Sequence, residues 1–258
     1  MKSWLERIAP PTVTIGILLI VWEVAVDAGH ISERVLAAPS QIVVSIVKTW
    51  PDLWQAAAIT TYEAVTGFLI AVAAGILIGI GLYLSKTLHR AIYPLLAAAQ
   101  TIPLITIAPL FMIWFGFEPL GKIVIVAVFG VFPVAVQTCR GLLAVPQFYE
   151  DVALTCGANR AWTLWHVKLF VAGRQVFGGI RISAAYVFGT AVTAEYLGAM
   201  NGLGIWLQAA FNSFRTPLIF SATIVVVALT AILLSVITII ERLILGEDDT
   251  IAFNESGD

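Results

Sequence analysis

AVTGFLIAVAAGILIGIGLYLS, residues 64–85, contains no charged side chain. At 1.5 Å of rise per residue the run makes a helix of about 33 Å, enough to cross a hydrocarbon layer of about 30 Å. Gly67, Ala71, Gly75 and Gly79 recur every fourth residue and form a smooth strip on one face. In lipid no hydrophobic force drives helices together, so such strips serve close backbone approach. The run therefore reads as one span of a helical bundle in a membrane.

Composition extends that reading to the whole chain. Of 258 residues, 60% are hydrophobic and 12% charged, and the mean hydropathy is +0.95. Soluble domains carry about 25% charged residues, so this chain lacks the charge to clothe a water-facing surface. Charges mark the ends of the remaining spans. The first is expected at 11–28, retained rather than cleaved as a signal peptide, because no small-residue cleavage site follows it. Residues 30–55 carry His30, Glu33, Arg34, Lys48 and Asp52 and read as a loop with a short surface helix. Further spans are expected at 91–117, 123–139, 175–197 and 217–240, giving an all-α membrane protein with about six transmembrane helices. Residues 1–55 form an N-terminal span and outer loop, 56–245 the core, and 246–258 an acidic tail expected to be disordered in the cytosol.

Orientation follows from the 14 Lys and Arg residues. With the N-terminus inside, Lys2, Arg7, Lys86, Arg90, Arg140, Arg160, Lys168, Arg174, Arg181 and Arg242 fall on the cytoplasmic side. Arg34, Lys48, Lys122 and Arg215 fall outside. That bias favours both termini in the cytoplasm of a multi-pass inner-membrane protein, with residues 140–174 also cytoplasmic. Cys139 and Cys156 then read as free thiols. The net charge of -2 offers no basic patch for nucleic acid. His30, His89 and His166 are too scattered to suggest a metal site.

Within that loop, VPQFYEDVALTCGANRAWTLWHVKLF (145–170) has helix punctuation. Pro146 suits a helix start, Glu150 and Asp151 favour its dipole, and Gly157 supplies a stop. Val152, Ala153 and Leu154 would face water unless something docks on them. The segment resembles the cytoplasmic loop of binding-protein-dependent ABC importer permeases, E-A-A-x-x-x-G-x9-I-x-L-P. Here Asp151-Val152-Ala153, Gly157 and Val167-Lys168-Leu169-Phe170 fill its positions, with Asp for Glu, Val for Ala and Phe170 for the usual proline. LAAPSQIV (36–43), YPLLAAAQTIPLITIAPLFMIWFGF (93–117) and AEYLGAMNGLG (194–204) resemble runs of the nitrate/sulfonate/taurine-type branch.

The resemblance implies the MetI-like fold of type I ABC importers. It also implies a second permease copy, two cytosolic ABC ATPase subunits and an extracytoplasmic binding protein. ATP and Mg would sit on the ATPase, with no cofactor on this chain. Glu150, Asp151, Val152, Ala153, Leu154, Gly157 and Ala158 would form the ATPase-coupling helix and turn. GFEPLGKI (116–123) approaches a P-loop, but Ile123 offers no hydroxyl for Mg²⁺. Nucleotide chemistry therefore belongs to another chain.

For the solute pathway, Gln100 and Thr101 precede Pro103, which should bend span three together with Pro109. Glu195 reads equally as a pathway group or as a partner of loop backbone. Asn201 begins a break, Asn-Gly-Leu-Gly, of the kind tolerated in a membrane where it lines a cavity. Glu63, Trp114 and Trp206 read as interfacial. The run AAAQTIPLITIAPLFMIWFGF (97–117) looks closest to permeases for thiamine-pyrimidine precursors or riboflavin-like heterocycles, with sulfonate, taurine, nitrate and bicarbonate as alternatives. A stand-alone carrier or membrane-embedded enzyme is the rival class. A carrier should show inverted repeats and ion-coupling charges, and neither is evident.

Overall fold

A computed structural model describes residues 2–246; the acidic tail lies outside the described residues. Helix α1 (Lys2–Ala28) is followed by α2 (Pro39–Leu84), α3 (Lys86–Ala99) and α4 (Leu104–Phe115). Helix α5 (Pro119–Ala144) then leads to a set of short helical pieces. These are α6 (Gln147–Thr155), α7 (Arg160–Thr163), a π-helical turn (Leu164–Lys168) and α8 (Leu169–Val171). Helices α9 (Gly173–Gly198), α10 (Leu203–Asn212) and α11 (Thr216–Leu245) complete the chain. Among the described residues there is no strand.

Helices α2, α5, α9 and α11 are long and apolar enough to cross a membrane, and the bent pair α3–α4 makes a fifth crossing if taken as one. The expected six crossings are therefore not confirmed. Helix α1 forms where the first span was expected but does not join that set.

Two local differences have clear causes. The expected loop 30–55 shrinks to residues 29–38, because α2 begins at Pro39 and runs 46 residues. Pro39 needs no hydrogen-bond donor in the first turn, and the Gln41 side chain accepts the Ala38 N–H at 3.0 Å. Glu23 accepts the Ser40 hydroxyl at 2.6 Å and its N–H at 3.0 Å, tying α1 to this start. Lys48 and Asp52 are exposed on the helix. Its length, about 70 Å at 1.5 Å per residue, well exceeds the hydrocarbon layer. Helix α2 also runs unbroken through residues 55 and 56.

The second difference is span three, which breaks rather than bends: α3 and α4 differ in direction by 104°. Pro103 disfavours helical geometry at Ile102 and removes a donor, whereas Pro109 sits inside α4 without ending it.

The core is the pairing of α2 with α5, flanked by α9 and α11. The small-residue strip is used as the sequence suggested. A methyl group at Gly67, Gly75 or Gly79 would lie 2.7, 2.6 or 2.5 Å from Val126, Val134 or Thr138. Three contacts in register along two helices draw the backbones together, and Phe68, Val176, Phe188 and Ile237 close the cluster around them.

Candidate coupling surface and solute pathway

The end of the bundle where α2, α5 and α11 finish and α9 starts carries the short pieces α6 to α8. Leu142, Leu164, Ala172 and Ile80 pack there in one cluster, and Gly173 lies against Leu245. Helix α6 projects from this base with no buried residue. Its end is fixed by backbone geometry. Gly157 takes φ +88°, its N–H donates to Leu154 O at 3.0 Å, and Ala158 N–H donates to Ala153 O at 3.1 Å. This pair of bonds is the Schellman termination that glycine permits at low cost. Asn159 then caps α7, its Oδ1 accepting the Trp162 N–H at 2.8 Å.

The resulting helix–turn–helix encloses an open groove of about 770 Å³ lined by Phe148, Tyr149, Val152, Ala153, Cys156, Gly157 and Trp162 among others. Phe148 is 69% and Val152 46% exposed. Asp151 is also exposed, while Ala153, Leu154 and Ala158 are half-buried. Residues 151–158 thus form one contiguous surface, and its apolar part has no cover within the described chain. Phe170 is exposed as well; without a proline there, helical backbone continues through it to Ala172.

Glu150 behaves differently from its neighbours. It pairs with Lys168, whose Nζ also donates to the Tyr83 hydroxyl at 2.5 Å. Burial opposes the charge on Lys168, but its bonds to Glu150 and Tyr83 outweigh that and hold its pKa above the ordinary lysine value. Sequence reading missed Lys168 and Tyr83, since nothing in their spacing links them.

The opposite end holds a buried polar cluster. Glu195, near the end of α9, is wholly buried and accepts the Thr60 hydroxyl and the Gly204 N–H, each at 2.7 Å. Leu203 N–H donates to the same Thr60 oxygen at 2.9 Å. Together Thr60 and Glu195 satisfy the first donors of α10, which would otherwise be orphaned in an apolar interior. Gly202, at φ +114°, lies where a side chain would collide with the Glu195 carboxylate. Glu63, expected at the interface, is instead fully buried. Its Oε1 lies 2.6 Å from Lys122 Nζ. That contact is ionic rather than a well-directed hydrogen bond.

Asn201 is exposed in the turn beside this cluster, and Gln100 and Thr101 are exposed at the α3–α4 break. Thr101 donates to Ala98 O at 2.8 Å. No hydrogen bond among the described residues joins Gln100 to the Glu195 cluster. Charges of opposite sign at the starts of two apolar runs, Glu63 and Lys122, were the available signal for the buried pair. Among the described residues no group of three or more His, Cys, Asp or Glu is placed to hold a metal ion.

Residues 71–245 match the family described as "Binding-protein-dependent transport system inner membrane component". The chain is 31% identical to the formylaminopyrimidine transport permease protein ThiX of Halalkalibacterium halodurans, over 86% of this chain and 89% of that protein. It is also 31% identical to the taurine transport system permease protein TauC of Escherichia coli, over 86% and 82%. In fold it is similar to a chain of the inward-facing MetNI methionine ABC transporter, with a TM-score of 0.61 at 20% identity, over 75% of this chain and 94% of that one. An all-helical MetI-like bundle and a family match over most of its length make the chain a membrane permease subunit of the binding-protein-dependent ABC importer family.

Proposed function

We propose that this permease carries a small heterocyclic solute, of the thiamine-pyrimidine-precursor or riboflavin class, inward after its release from an extracytoplasmic binding protein. Two copies of the chain form the pathway, and two separate cytosolic ATPase subunits drive it. The unit spanning residues 56–245 is the transport core, and both termini face the cytoplasm. ATP and Mg bind the ATPase.

The exposed apolar surface of α6 and its glycine turn supports this reading most directly. Val152, Phe148 and Tyr149 project from a helix none of whose residues is buried, and exposed apolar patches of this kind mark sites of association. Asp151, Val152, Ala153, Leu154, Gly157 and Ala158 form the docking face, with Glu150 on the reverse. ATP-driven approach of the two ATPases draws the two α6 helices together and tilts the bundle as a rigid body. Gln100, Thr101 and Asn201 line the route as neutral polar groups at breaks in the helices, and Glu195 acts behind Asn201 by holding the start of α10.

The choice of a heterocycle rests on charge. Lys122 and Arg181, set within α5 and α9, are engaged by Glu63 and Glu241 and so offer no fixed cation to an anion. The likeness to ThiX agrees. The equal identity to TauC favours a second reading, sulfonate or taurine import, and nitrate and bicarbonate belong with it as anions.

The test is reconstitution of the chain with its cognate ATPase and binding protein, followed by uptake of labelled formylaminopyrimidine and taurine. Pyrimidine uptake with ATPase co-purification is expected; taurine uptake supports the second reading, and uptake without any ATPase contradicts both.

A further inference from the structure

Helix α6 has two covalent joints, the extended residues at Val145 and Pro146 and the glycine turn at Gly157. None of its residues is fully buried and only Ala153 and Leu154 among its apolar side chains are half-buried, so apolar packing holds it weakly. A helix joined only at such points would pivot, and force applied to it would be lost in the joints. A polar tie to the bundle is added to that weak packing. Glu150 pairs with Lys168, which is 8% exposed and donates to the Tyr83 hydroxyl. Tyr83 is the penultimate residue of α2, the helix whose glycine strip interlocks with α5.

We propose that Glu150, Lys168 and Tyr83 form an internal strut that makes α2 move with α6, so that Glu150 is a positioning residue inside this chain and not part of the ATPase-docking face. The three groups come from α6, the π-helical turn and α2, and join segments 18 and 85 residues apart. The wide turn at 164–168 carries Lys168 inward while leaving Trp162 and Trp165 exposed. The strut is mostly shielded from water, where a charge pair is screened less than at the surface. This proposal rests on α6 being the ATPase handle.

The test uses the complete transporter in proteoliposomes, with Lys168→Met, Glu150→Gln, Tyr83→Phe and the exchanged pair Glu150→Lys with Lys168→Glu. ATPase association, ATP hydrolysis and solute uptake are read separately. Association should be unchanged in every variant. Uptake per ATP should fall about tenfold in the two charge variants and about threefold in Tyr83→Phe, which loses one hydroxyl and keeps its ring. The exchanged pair should recover most of the ratio, which ties the loss to the pairing of the two charges. Tyr83→Phe keeps the test open should the charge variants fail to insert. Wild-type uptake per ATP in the single variants overturns the strut. So does loss of ATPase from Glu150→Gln alone, since Glu150 would then touch the motor directly. Failure of the unmodified chain to bind ATPase is a different result, and it removes the handle reading instead.

Discussion

Gly157 stands at φ +88° with open space where a side chain would sit. A substitution there meets no clash, and its cost is backbone strain of about 1–3 kcal/mol. Gly157→Val should therefore insert normally while uncoupling ATP hydrolysis from uptake. Gly157→Asn, which tolerates positive φ better, should keep more of the coupling, and uptake and hydrolysis measured together distinguish them. Lys122 is the opposite case, a buried charge whose value lies in its partner Glu63. Removing one member strands the other, at about 3–5 kcal/mol. Lys122→Met should lower the unfolding temperature in detergent sharply, and adding Glu63→Gln should restore much of it. Gln100, exposed at the α3–α4 break, belongs to neither structural group. Gln100→Leu should change uptake kinetics with ATPase association intact; unchanged kinetics would make it a packing residue.

At the scale of elements, the α2–α5 pair is the part of the fold most sensitive to volume. Gly75→Leu would drive a side chain into Val134, already 2.6 Å from a single added methyl position. Overpacking of this kind costs about 1–3 kcal/mol or more, and the variant should show reduced membrane yield and a lower unfolding temperature. This strip was legible from the sequence because four-residue spacing of Gly and Ala has one geometric meaning in a helix. The glycine stop of α6 was legible for the same reason. The start of α2 was not: Lys48 and Asp52 look like loop charges unless the helix is known to project beyond the apolar layer. The α3–α4 break was half legible, since two prolines, Pro103 and Pro109, look alike in sequence and only one ends its helix. Glu63, Thr60, Lys122 and Glu195 come from three helices and meet only through the packing of α2, α5 and α9. No local pattern could assemble them.

At the scale of the molecule, the two polar centres lie at opposite ends of one bundle. The Glu195 cluster fixes the start of α10, and the α6 surface at the other end is uncovered within the described chain. The α2–α5 pair runs between them as a continuous packed element. An arrangement of this kind transmits displacement as rigid-body tilt, since a close-packed core deforms little. In the proposed transporter, α6 is the surface a separate ATPase grips. The most direct test of that grip places a photo-crosslinking side chain at Val152 in the assembled transporter in inner-membrane vesicles. Efficient capture of the ATPase subunit is expected, lost when the ATPase is stripped away. Labelling of the same position from outside intact cells, or crosslinks only to the chain's own helices with the ATPase present, would contradict it.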